Sequence, residues 1–332
     1  MSVDQHGPSH APPSAAAPIL ARAAQADARA RRRLDASIED FFLCPRGRLD
    51  DRTRAAVHAA IVALLEDCAR ALVGDAADTS AIARRLADAG LLRDREFMDE
   101  VIGQARLALL GAALDANREP GVAATLLPRL AVERDKVIAA AARDYMLLEG
   151  KPALPTVLHR RITWWVAAAL REGHAGDGAL AEAALRCMEA HDDNARIESA
   201  ALRLAAAIDA RAEELPELLI AALSDGCAEL AVAVIAYARR IDFADARALL
   251  LDPDGDRLWL VLRAHGFARE ALARVALLLA DADPHRDIEA FADQLDTIAA
   301  IPVLAAREAL APLALHADFR GAIDALARRR SE

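Results

Sequence analysis

Cys187 and His191 stand four residues apart in DGALAEAALRCMEAH, a spacing that puts a thiol and an imidazole on one face of a helix. His174, Asp177, Asp192 and Asp193 lie close by in sequence. Such a set could begin a zinc or iron site, which needs three or four ligands converging on one point. The acids, however, fall at a helix end, where they serve as turn and capping residues. Cys187, among Ala184, Leu185 and Met188, has the surroundings of a small core residue. No metal and no cofactor is expected.

The stretch LDPDGDRLW has the look of a calcium loop. An EF-hand loop starting at Asp252 needs Gly at its sixth position and Glu at its twelfth, and Arg257 and Arg263 occupy them. Asp-Pro-Asp-Gly-Asp therefore reads as a turn that ends one helix and caps the next. There is no G-x-S-x-G, no P-loop glycine pattern and no G-x-G-x-x-G, so no catalytic residue is assigned. His58 could accept a phosphoryl group, but its neighbours Ala55, Ala56, Ala59 and Ala60 offer no charge to assist the transfer.

Two features remain as candidates for contact with a partner. The first is Arg29, Arg31, Arg32 and Arg33, on a segment that could dock on an acidic partner or on phosphates, with a second run at Arg328 to Arg330. The second is the doublet Trp164-Trp165 in TVLHRRITWWVAAALREG, two of the chain's three tryptophans. Neighbours on a helix point about 100° apart. Leu158, Ile162, Trp165, Val166, Ala169 and Leu170 share one face, which places Trp165 in the core. Trp164 falls nearly opposite, with Arg160, Ala167, Ala168 and Arg171. Trp164 between Arg160 and Arg171 is either an anchor for a peptide or a stacked base, or a packing residue against an adjacent repeat.

The elements that must position these residues are helical. Ala and Leu dominate, aromatic residues make up 4%, and sheet-forming residues are scarce. Apolar residues at Val57, Ile61, Leu64, Leu65, Cys68, Leu72 and Val73 trace one face of a helix opened by Asp50 or Asp51 and closed at Gly74. The same grammar recurs to the C-terminus. Asp242 with Asp245 marks one further start, and Asp283 before Pro284 has the form of an N-cap followed by Pro.

The fold class expected is all-α, an irregular HEAT/armadillo-like α-solenoid of antiparallel helix pairs. Residues 1–17 are expected to be a disordered tail, 18–150 an N-terminal helical region and 151–332 a C-terminal helical-repeat region continuous with it. Net charge is −10, and Lys136 and Lys151 are the only lysines, which argues against a general nucleic-acid binder. Four widely spaced cysteines suggest reduced thiols, not a disulfide framework. Without a leader or a long apolar run, a cytoplasmic location away from membranes is expected.

The segments LHRRITWWVAAALREG and LPELLIAALSDGCAELAVAVIAYARRIDFADARALLLDPDGDRLWLVLRAHGFAREAL resemble the uncharacterised alphaproteobacterial family of domain of unknown function 2336. LDDRTRAAVHAAIVALLEDCARALV is similar to its N-terminal helix pair, and the likeness runs over about residues 48 to 280. The region from Pro120 to Gly150 departs from it. The resemblance implies a helical-repeat module and carries no catalytic residue.

The function expected is that of a non-enzymatic helical-repeat protein, a scaffold or regulator that binds another protein or peptide through a groove, with Arg160, Trp164 and Arg171 on the contact surface. The alternative is a nucleic-acid protein resembling the HEAT-like DNA glycosylases, which hold DNA with Trp, Arg and an acid. A phosphotransfer protein using His58 or His159 is the third reading.

Overall fold

A computed structural model describes residues 16–42, 49–76, 78–119, 121, 123–148, 150, 152–171, 176–315, 319–320, 322–323 and 326. Most of the expected tail, Cys44, His174 and Arg328 to Arg330 lie outside the described residues. Among the described residues there are seventeen α-helices and no strand. They are α1 (Ala17–Ala24), α2 (Ala26–Phe42), α3 (Asp51–Val73), α4 (Thr79–Asp88), α5 (Arg95–Ala116), α6 (Leu126–Ala131), α7 (Lys136–Leu147), α8 (Thr156–Leu170) and α9 (Asp177–Glu189). There follow α10 (Ile197–Ile208), α11 (Leu215–Ser224), α12 (Ala228–Arg239), α13 (Phe243–Leu251), α14 (Asp256–Ala264), α15 (Arg269–Ala282), α16 (Ile288–Ala300) and α17 (Val303–Ala309).

Local chemistry sets many of these boundaries. The Asp50 side chain accepts the Thr53 N–H at 2.6 Å, and Asp94 accepts the Phe97 N–H at 2.9 Å, so each satisfies a donor that a helix start leaves free. Gly74 closes α3 with φ +73°. α13 starts after Asp242 as expected, with Asp245 in its first turn, although the Asp242 side chain makes no capping bond. The other expected start differs. Asp283 ends α15, and α16 begins four residues after Pro284, capped by Asp287 through the Ala290 N–H at 2.9 Å. Pro284 sits in the intervening turn, where the Asp283 carboxylate accepts the His285 N–H at 3.1 Å.

The buried apolar side chains form two clusters, and these do not follow a division at residue 150. One joins α3, α4, α8 and α9 with the first half of α5, from Phe97 to Ala105. The other joins α1, α6, α7 and the helices from α10 onward with the second half of α5, from Leu107 to Leu114. α5 is thus common to both cores and packs on α2, α3, α11, α12, α13 and α15. α12 buries Leu230, Ala231, Val232, Ala233, Val234 and Ile235 in succession, so it is covered on all sides, as a helix without a polar face must be.

Where the two cores meet, α5 carries Glu100. Its carboxylate takes Arg247 of α13 at 2.7 Å and Arg196 at 3.1 Å. Burial alone would raise Glu100, but these guanidiniums outweigh it and hold the carboxyl below its ordinary range. Gly103, one turn along, leaves the room: a Cβ there would lie 2.6 Å from the Arg247 guanidinium.

Candidate functional site

The outer side of α8 carries a continuous exposed strip. Val157, Arg160, Trp164 and Ala168 follow one another at helical spacing and all are exposed, and Arg171 extends the line just past the helix. Val157 is 65% and Trp164 38% exposed, so the strip presents two large apolar side chains flanked by cations. Arg171 makes two bonds of 2.7 Å to Asp177 of α9. Both partners are well exposed, and such surface pairs contribute little and exchange readily.

The inner side differs from the expected face. Leu158, Ile162, Val166 and Leu170 are buried as expected, but Thr163 at 0% exposure and Ala167 complete the buried set. The centre of the face is therefore rotated away from Trp165, which is half-buried at its flank against the core. Ala167, expected beside Trp164, faces inward because α8 packs on α3, α4 and α9 at once.

Beneath the strip lies a group of polar side chains drawn from three helices. His159 Nε2 is 3.8 Å from Cys187 Sγ and 3.5 Å from Thr163 Oγ1. Thr163 donates its hydroxyl to the His159 carbonyl at 2.8 Å, and its oxygen lies 3.7 Å from Cys68 Sγ of α3. Cys68 of α3 and Cys187 of α9 thus face the same Thr163–His159 pair, from two helices that pack on one another. His191 stacks on His159 with ring centroids 4.0 Å apart, and its Nε2 lies 3.2 Å from Asp193. Asp193 also accepts from the Thr156 N–H at 3.0 Å, fixing the start of α8.

The Cys187 thiol is held well below its ordinary range, in the first place by the neighbouring Cys68 and next by His159. Cys68 is pushed up by Cys187 and by burial. Cys187 and His191 share this group, as their spacing allows, but His191 reaches Cys187 only through His159. Among the described residues no group of three or more His, Cys, Asp or Glu side chains is placed to hold a metal ion. The thiol pair had no signal in the sequence, since Cys68 lies far from α8 along the chain. His58 is exposed on α3, away from this group.

The arginines of α2 meet acids of the same chain. Arg29 reaches Asp256 at 2.7 Å, Arg33 bonds both Asp252 and Asp254, and Arg22 of α1 reaches Asp256 at 3.0 Å. Arg257 returns a bond to Asp27 at 2.6 Å. The DPDGD turn lies between α13 and α14 as expected, with Gly255 at φ +63° under the Trp259 indole. That the turn receives these arginines was not expected. The signal available was the spacing of Arg29 and Arg33, which puts two arginines of α2 on one helical face, though it does not say what they meet. Arg32 is exposed and Arg31 half-buried.

A cleft of about 540 Å³ opens nearby, lined by Arg33, Arg52, Arg106 and Arg286 but also by Asp50 and Asp283, so its walls carry both signs of charge. No helix among the described residues is long and apolar enough to cross a membrane. Compared with protein-family models, with curated proteins and with solved structures, the chain matches none of them.

Proposed function

We propose that the chain is a non-enzymatic helical scaffold that holds an acidic, partly apolar segment of a partner protein on the outer strip of α8. The observation that carries this reading is the unbroken exposure of Val157, Arg160, Trp164 and Ala168, with Arg171 beyond. A Trp on a rigid helix loses little conformational freedom on binding, and flanking guanidiniums select for carboxylates. The exposed Arg171–Asp177 pair can open to receive a competing acid at little cost.

The architecture is read as an irregular HEAT/armadillo-like stack of antiparallel pairs. Packing of α8 on α9, α11 on α12 and α15 on α16 supports it. α5 also packs on several non-adjacent helices, which suits a stack wrapped around an axle better than an extended one. Against the nucleic-acid alternative stands the pairing of Arg22, Arg29 and Arg33 with Asp252, Asp254 and Asp256, which takes up charge that phosphates would need.

The test is capture of partners from a native lysate by the wild type, Trp164→Ala, Arg160→Glu and the remote surface control Val132→Ser. A protein retained by the wild type and the control but lost from both strip variants is the expected result. Equal retention by all four, or salt-sensitive binding to duplex DNA in place of protein capture, overturns the reading. Trp164→Ala, at a site 38% exposed, should cost less stability than Trp165→Ala, both read from urea unfolding.

A further inference from the structure

We infer that Cys187 and Cys68 form a hydroperoxide-reactive dithiol, in which Cys187 is the attacking sulfur and Cys68 the resolving one. This rests on the geometry beneath α8 and is independent of any partner on its outer side.

Three observations assign the roles. Cys187 is half-buried, so a small peroxide can reach it, whereas Cys68 is buried. His159 Nε2 stands 3.8 Å from Cys187 Sγ, where an N–H donor stabilises the thiolate. The stack on His191, itself held by Asp193, keeps that imidazole in place. Cys68 Sγ lies 3.7 Å from Thr163 Oγ1, which is 3.5 Å from the same His159 Nε2 that Cys187 faces, and α3 packs directly on α9, so the resolving thiol approaches from within the group. The third described cysteine has none of this: Cys227 is buried beside the Asp225 carbonyl and pushed up to about 12 by burial.

The chemistry balances as follows. The Cys187 thiolate attacks one oxygen of a hydroperoxide, the O–O bond breaks, and the departing alkoxide or hydroxide takes a proton. Sulfur is oxidised by two electrons to a sulfenic acid, and the peroxide is reduced to an alcohol or water. The Cys68 thiol then attacks the Cys187 sulfur. The S–S bond forms, the S–O bond breaks, and the hydroxyl leaves as water with the proton from Cys68. A small dithiol reductant reverses the bridge by exchange.

The test uses the full-length protein with Cys44→Ser, treated with one equivalent of hydrogen peroxide and mapped by mass spectrometry without reduction. The expected result is loss of two titratable thiols and a peptide linked through Cys68 and Cys187, restored by dithiothreitol. At pH 7 a thiol with a pKa near 12 is only roughly one part in 10⁵ thiolate. Cys187 should therefore be oxidised at least about tenfold faster than Cys227. In Cys68→Ser, a 1,3-diketone probe should trap a sulfenic acid at Cys187. The proposal is overturned if Cys227 reacts as fast as Cys187, or if Cys187 proceeds to sulfinic acid in the parent chain with no linked peptide. Because the linked peptide is sought in the Cys44→Ser parent, a folding defect in Cys68→Ser leaves the question decidable.

Discussion

The two cores that share α5 are built differently. The one around α12 is filled with Ala, Leu, Val and Ile whose neighbours are equally apolar. The one around α3 and α8 keeps a hydroxyl, two thiols and an imidazole near its centre. Buried polar groups cost free energy unless each finds a partner. The second core meets that condition through a closed set of mutual contacts. The first faces it less often, at Tyr145, Cys227 and Glu198 among its apolar side chains. The thiol–imidazole group thus lies on one side of α5 and the larger apolar core on the other.

The largest expected effect lies where the two meet. Glu100→Ala leaves Arg247, whose side chain is 4% exposed, without its carboxylate. Loss of one partner of a buried pair should cost about 3–5 kcal/mol, read from urea unfolding. Adding Arg247→Met should recover part of that loss. If it does not, the seam is held by packing and the pair is incidental.

Next comes the apolar core itself. Leu230→Ala in α12, at a fully buried site, should cost about 2–5 kcal/mol. Thr163→Val in α8 keeps the shape and removes the hydroxyl that bonds the His159 carbonyl. It should cost only about 0.5–1.5 kcal/mol. A larger loss for Thr163→Val than for Leu230→Ala would reverse the division of labour between the cores.

Acid gives the finest discrimination. Burial, with Arg239 and Arg307 nearby, pulls His265 of the C-terminal region down to about 4 from an ordinary value of 6.5. Its folded-state pKa lies below the unfolded one, so its contribution is present above about pH 6.5 and is lost as pH falls toward 4. Glu100, held below 4.5, contributes above that value and loses its contribution only at lower pH. Unfolding midpoints should therefore begin to fall between pH 6.5 and 4, and His265→Gln should flatten this stretch. An unchanged slope in His265→Gln would assign the loss to other groups.

What was legible in the sequence follows the range of the forces involved. The helical class, the opening of α3 at Asp50 and its closure at Gly74 depend on residues within a turn or two, and the sequence pattern records them. The helical period put Trp164 opposite the buried face but left open whether it meets solvent or a neighbouring repeat, and its 38% exposure shows solvent. The misplacement of Trp165 had another cause. The wheel shows which residues share a side, whereas three packing neighbours decide where its centre falls. Pro284 misled because a capping signal reads alike at either end of a turn. The thiol pair and the arginine clamp join residues far apart in sequence, and no local pattern marks such a partnership.

That clamp sets an order of events during synthesis. Arg33 and its acceptors Asp252 and Asp254 are separated by 219 and 221 positions. At about 5–20 residues per second, the ribosome delivers the acceptors roughly 10–45 s after the arginine. Through that interval α1 and α2 are already outside the tunnel with their guanidiniums facing water. α1 and α2 therefore dock long after they are made, and their seating marks a chain that has been translated past the DPDGD turn.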